Sequence, residues 1–278
     1  MMGDNIKTEL SKLANRPAVQ VLGAVFLLLV VVFGYLLSYL FIVGVGGDPP
    51  PEAQQFLTTL LPEEFLSTAL TNFTGFGSAI ALILGAMTVG SEYGWDTFKA
   101  ALVQGSGRLE LFGGKLLAVA VVLLVFTLVM LGGGAATSYV MAQVLDEAAN
   151  WPSVWEILKA VGAGWLILAV FAGLGIVLAT LFRGTALAIG LGLVYLLLLE
   201  NILSGLAFQS DTADSISKAL PVRNSLDLGR AFGELSGQAQ GAAATQPVDP
   251  TQAVLILGAY VLGFLAIAGA LFKTRDVA

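Results

Sequence analysis

The chain contains no cysteine and no histidine. Without cysteine there is no disulfide framework, no thiolate nucleophile and no cysteine-based metal site, and the redox compartment leaves no mark on the sequence. Without histidine the commonest general base, the Ser-His triad and most zinc sites disappear together. Carboxylates and serines remain, so only the less common catalytic routes stay open. Charge is the third scarcity. Asp, Glu, Lys and Arg make up 12% of the 278 residues, about half of what a soluble domain carries.

Apolar residues fill the space, at 57% of the chain and a mean hydropathy of +0.87. Apolar runs of about 20 residues recur, each enough to cross a bilayer as a helix. The expected fold is therefore an all-α integral membrane protein. Six transmembrane helices are expected at roughly 18–45, 66–90, 116–144, 157–182, 185–208 and 253–272. The fourth and fifth are separated only by Arg183-Gly184. The first run is far longer than a signal-peptide core and reads as a retained helix. Residues 1–17 precede the six-span domain of 18–278. In them Ile6, Leu10 and Leu13 recur at i, i+4, i+7 beside Lys7 and Lys12. That spacing suits either an amphipathic helix on the bilayer surface or a solvated helical tail.

Lysine and arginine set the orientation. With the N-terminus in the cytoplasm, Lys7, Lys12, Arg16, Lys99, Arg108, Lys115, Arg183, Lys273 and Arg275 all fall inside. Only Lys159, Lys218, Arg223 and Arg230 then fall outside. Both termini are expected in the cytoplasm of a multi-pass plasma-membrane protein, with the formal charge of −6 concentrated in the external loops. The last of these loops, 209–252, combines a stretch able to form short helices with the small, polar run SGQAQGAAATQPVDP, a linker by composition.

The segment SEYGWDTFKAALVQGSGRLELFGGK, residues 91–115, interrupts two apolar runs with charge and glycine. Its Gly113-Gly114-Lys115 end superficially matches a phosphate-binding loop, which requires G-x-x-x-x-G-K-[S/T]. Leu109 stands where the first glycine is needed, and Leu116 replaces the hydroxyl. ATP has no cradle here. The remaining readings are a short helix parallel to the membrane, ended by Gly105, or a loop solvated for topology alone.

This segment resembles the region between the second and third spans of ABC-2 type permeases, the membrane subunits of a large class of ABC transporters. In that family a Glu follows the second span, then Gly-Thr, a leucine-bearing helix, a turn, an Arg and a Lys that opens the third span. Glu92, Thr97, Leu102, Arg108 and Lys115 fall in those places. Asp96 stands where the family has Gly, with Gly94 two residues earlier, and Gly105-Ser106-Gly107 replaces the usual turn proline. Leu220-Pro221 in the final external loop adds to the likeness. The resemblance implies a type V exporter-like architecture, with 91–115 as a coupling segment in a groove of a cytoplasmic ATPase subunit. It also implies a second permease copy or a homologous permease as partner, and ATP and magnesium bound by the ATPase rather than by this chain. No nucleic-acid partner is expected; membrane lipid is. Glu92, Gly94, Asp96, Thr97, Leu102, Arg108 and Lys115 are the candidate coupling residues, with Arg183 a second contact. Arg108 and Lys115 equally suit positive-inside anchoring.

Glu200 and Asn201 lie about 22 Å along the fifth span at 1.5 Å per residue, where a carboxylate is costly unless paired, protonated or wetted. They suit a substrate contact, a proton site or a gate. They also suit a structural helix break in which Glu200 is satisfied by Asn201, Ser204 or a neighbouring helix. Gly132-Gly133-Gly134 is a candidate bend or dimer contact. Two other functions compete with the permease subunit: a non-transporting assembly or sensor component, and an intramembrane carboxylate enzyme built on Glu200.

Overall fold

The computed structural model describes residues 2–43, 56–94, 108–207, 211–233 and 247–274. These residues are all-helical, and no strand occurs among them. Among the described residues, five helices are long and apolar enough to cross a membrane. The elements in order are α1 (Met2–Ala14), α2 (Pro17–Val43) and α3 (65–94), then α4 (Arg108–Val144) and α5 (Val154–Phe182). They are followed by α6 (185–207), α7 (Asp211–Ser217), α8 (Pro221–Arg230) and α9 (Pro250–Thr274). The five are α2, α3, α4, α5 and α9. In α6 the apolar stretch Thr185–Leu199 is shorter than in these five.

Local chemistry explains the boundaries. Arg16 is extended and Pro17 opens α2, the first-turn position where proline loses no hydrogen bond. Ser153 and Glu156 close a reciprocal capping box at the start of α5. Arg183 turns left-handed at φ 52° to end α5, and Gly184 starts α6 at once, giving the two-residue reversal that the sequence suggests. α2, α3 and α6 each contain a π-helical turn, at Val32–Leu36, Phe73–Gly77 and Tyr195–Leu199.

α3 and α5 form the inner pair, with α6, α4 and α9 packed around α5. Their backbones meet where a side chain would not fit. A Cβ on Gly85 would run into the Ala172 carbonyl, and one on Gly175 into that of Leu82. Large apolar side chains along α2, α4, α6 and α9 face outwards, among them Val25, Leu28, Leu124, Leu128, Leu187, Leu191, Leu255 and Leu262. A surface this oily needs lipid or a partner.

α4 begins at Arg108, ahead of the third expected span, and runs unbroken to Val144. The three glycines at 132–134 lie inside that helix. A Cβ at Gly133 would strike Leu27, and one at Gly134 would lie 3.3 Å from the Tyr35 hydroxyl. Gly133 and Gly134 let α2 approach α4 closely, whereas a Cβ at Gly132 would meet nothing within 4 Å.

α1 lies along α4, with Leu13 in the core and Glu9 buried one turn earlier. The ring of Phe112 near the start of α4 stacks on Phe272 near the end of α9, with centroids 5.0 Å apart. α1, the start of α4 and the end of α9 therefore share one end of the bundle, called here the terminus end. The opposite, loop end carries α7 and α8.

Candidate functional site

The terminus end contains a buried cluster of charge. Lys115 is 2% exposed, Glu9 4% and Glu92 7%. The Lys115 ammonium donates to Glu9 Oε2 at 2.8 Å and to Glu92 Oε1. Lys12 donates to the other Glu9 oxygen at 2.6 Å. Two carboxylates and two ammoniums balance, as burial of charge requires.

Each member has a local reason to be there. Glu9 lies one turn before Leu13 on the stripe of α1 that faces α4. Glu92 stands in the last turn of α3, where the helix dipole disfavours an acid unless a cation is near. Lys115 lies two turns inside α4, deep enough for its stem to be covered while its head meets both acids. Burial alone would raise the Glu9 carboxyl, but Lys115 beside it, assisted by Lys12, holds it below its ordinary value of 4.5. A second tie runs parallel: Arg16 Nη1 donates to Ser91 Oγ at 3.1 Å, and Ser91 donates to the Met87 carbonyl at 2.7 Å. The N-terminal helix, the end of α3 and the start of α4 are thus joined by ionic and hydrogen bonds across 106 and 75 residues of sequence.

Of the coupling residues expected from sequence, Glu92 and Lys115 come together here. Gly94 ends α3, Arg108 starts α4, and Arg183 occupies the turn between α5 and α6. Asp96, Thr97 and Leu102 lie outside the described residues. Lys115 is buried against the two carboxylates rather than exposed at the surface. Glu9 was missed. Its signal was an acid one turn from Leu13 on the face that Ile6 and Leu13 share, where a solvated residue has no place.

A different polar cluster occupies the loop end. Glu200, 1% exposed, accepts a hydrogen bond from the Val222 amide at 2.8 Å. Val222 is the second residue of α8, so Glu200 supplies from another helix the anionic cap that Leu220 cannot. Tyr195 and Tyr260 flank the carboxylate, and the Tyr260 hydroxyl donates to the Ala219 carbonyl at 3.1 Å. Towards the other end of α8, Asp227 accepts from Arg223 Nε at 2.7 Å and from the Val248 amide at 3.0 Å. Asn224 donates to the Lys218 and Leu220 carbonyls at 2.8 and 2.7 Å. α8 is polar yet buried, packed on α3, α5 and α9. Glu200 is thus held by the backbone of α8 and by Tyr195 one turn earlier; the side chains of Asn201 and Ser204 lie outside the described residues. No group of three or more His, Cys, Asp or Glu able to hold a metal occurs among the described residues.

A family model described as a protein of unknown function, DUF2705, matches residues 21–278. No curated protein matches the chain.

Proposed function

We propose that this chain, which belongs to the DUF2705 family, is the transmembrane subunit of an ATP-driven ABC-2 type transporter. It exports a hydrophobic or amphipathic substrate and is energised by a separate ATPase. The observation that carries the proposal is the buried Glu9–Lys115–Glu92 cluster. The stretch between Glu92 and Lys115 is where the resemblance to ABC-2 permeases places the coupling segment. Its two roots are fastened to each other and to α1, so a push delivered between them moves α3, α4 and α1 as one body. α3 also makes the close Gly85–Ala172 contact with α5, which carries the displacement into the centre of the bundle.

On this proposal α6 counts as a sixth span, both termini lie in the cytoplasm of a plasma-membrane protein, and the terminus end faces the ATPase. A second permease copy completes the translocation path. ATP and magnesium are held by the ATPase, whose hydrolysis drives the cycle. This chain contributes Glu92, Arg108, Lys115 and the 91–115 stretch to coupling, and Arg183 to a lesser contact.

Co-expression with the ATPase encoded nearest to its gene tests the proposal. The expected result is a complex stable in mild detergent that hydrolyses ATP. It is lost on Arg108→Glu or on deletion of 96–105, while the permease still folds. Absence of any ATPase complex with the intact chain would refute it.

A further inference from the structure

The outer face of α5 carries two hollows that meet at one residue. The first, of about 800 Å³, lies between α5, the end of α8 and the start of α9. Glu156, Lys159 and Thr251 stand at its rim, and Leu166, Leu228 and Val254 line its floor. The second, of about 520 Å³, is an apolar groove between α4 and α5, lined by Leu117, Val121, Leu124, Val161 and Trp165. Gly162 lines both. It is exposed, and a Cβ there would meet nothing within 4 Å. The ridge of α5 is therefore lowest where the two hollows join.

The rim and the groove have different chemistry at different depths. α5 starts at Val154 and α9 at Pro250, so Glu156, Lys159 and Thr251 lie in the first turns of their helices, at the level where a bilayer gives way to water. The α4–α5 groove is apolar and lies deeper. The Trp165 indole N–H donates to the Ala120 carbonyl at 2.9 Å across it, which fixes the wall. Glu156 uses Oε2 to cap Ser153. It makes no ion pair with Lys159 among the described residues, although the two share one helix face. An anionic headgroup would satisfy Lys159 but meet Glu156 unfavourably, and a cation would do the reverse. A headgroup carrying both charges matches both.

We propose that these joined hollows bind a zwitterionic glycerophospholipid, with its phosphate at Lys159, its ammonium at Glu156 and an acyl chain passing over Gly162 into the α4–α5 groove. If the chain exports by the mechanism proposed above, this names the substrate class; the binding itself needs no ATPase.

Trp165 reports on the groove. In a variant carrying Trp95→Phe, Trp151→Phe and Trp155→Phe, it is the only tryptophan of the original four. In nanodiscs, phosphatidylethanolamine with brominated acyl chains, as a minor component, should quench Trp165 as though enriched about tenfold over brominated phosphatidylglycerol, a preference of about 1.4 kcal/mol. Gly162→Phe raises the ridge from a position where a Cβ meets nothing within 4 Å and should remove the enrichment, and Lys159→Glu should abolish the headgroup preference. Quenching that follows mole fraction for both lipids, indifferent to Gly162→Phe, would mean ordinary annular lipid only and overturn the proposal. Crosslinking of Gly162→Cys between copies in a chain with no native cysteine would assign the face to a second copy and overturn it as well. None of these readouts involves the ATPase, so failure of the lipid site and failure of the transport proposal are separately visible.

Discussion

The two ends of the bundle bury carboxylates in opposite ways. At the terminus end, Glu9 and Glu92 meet the side chain of Lys115, brought from 106 and 23 residues away. At the loop end, Glu200 and Asp227 accept backbone amides of Val222 and Val248, and Asp227 adds its helical neighbours Arg223 and Arg230. The first arrangement fastens whole helices to one another through one cation, so its strength sits in a single residue. The second spreads over a short helix whose own backbone is the partner, so it holds α8 in place with several smaller bonds. A lever needs the first kind of joint. A cover over the loop end is served by the second.

The comparison breaks most sharply at Lys115. Lys115→Met leaves two buried acids without their shared cation, a loss of about 3–5 kcal/mol. It should lower the thermal midpoint in detergent and expose Lys7 and Lys12 of α1 to trypsin. Adding Glu9→Gln and Glu92→Gln should recover much of the loss, and no recovery would mean that the acids are not what the lysine serves. Asp227→Ala comes next, at about 1–3 kcal/mol for the unmatched Val248 amide and the lost ion pair with Arg223. Its signature is faster hydrogen exchange in 221–230 with α1 still protected, so loss of α1 protection would show that the ends are not separate. Glu200→Gln is milder, at about 0.3–1 kcal/mol, because the amide oxygen still accepts from Val222 and only the charge at the start of α8 is gone. Unchanged export and expression would dismiss a charged role for Glu200. Acid has the smallest effect. Glu9 titrates below 4.5 in the folded protein, so the stability it contributes is full above its unfolded value and drains as pH falls through the lowered one. Trypsin-type cleavage is unsuited to that range. Pepsin digestion should instead show α1 loosening only below about 4.5, and loosening near neutrality would contradict the assignment to Glu9.

Much of the scaffold was legible in the sequence because membrane solvent leaves few options. The runs at 18–45, 66–90, 116–144, 157–182 and 253–272 each match a long helix, and Arg183-Gly184 makes the short turn it suggests. The sixth run forms α6, whose apolar stretch Thr185–Leu199 is shorter than the other five. The ion cluster was only half legible. Glu92 and Lys115 drew notice through a resemblance, but their pairing with Glu9 depends on how α1 lies on α4, which no local pattern encodes. The polar helix α8 was harder still. Its stretch reads as able to form short helices, as it does, but no local pattern buries Arg223, Asn224, Ser225 and Asp227. Burial of polar groups is decided by tertiary partners rather than by the polarity of the segment.

The measurement that bears most directly on the proposed transport function is export from lipid vesicles by the chain reconstituted with the ATPase of the co-expression test, with and without the Lys115 joint. The account predicts that Lys115→Met combined with Glu9→Gln and Glu92→Gln folds and retains the ATPase. That variant should continue to hydrolyse ATP while substrate export falls to background, because the push no longer reaches α3, α4 and α1 together. Export per ATP equal to that of the unaltered chain, with all three charges of the joint removed, would contradict it.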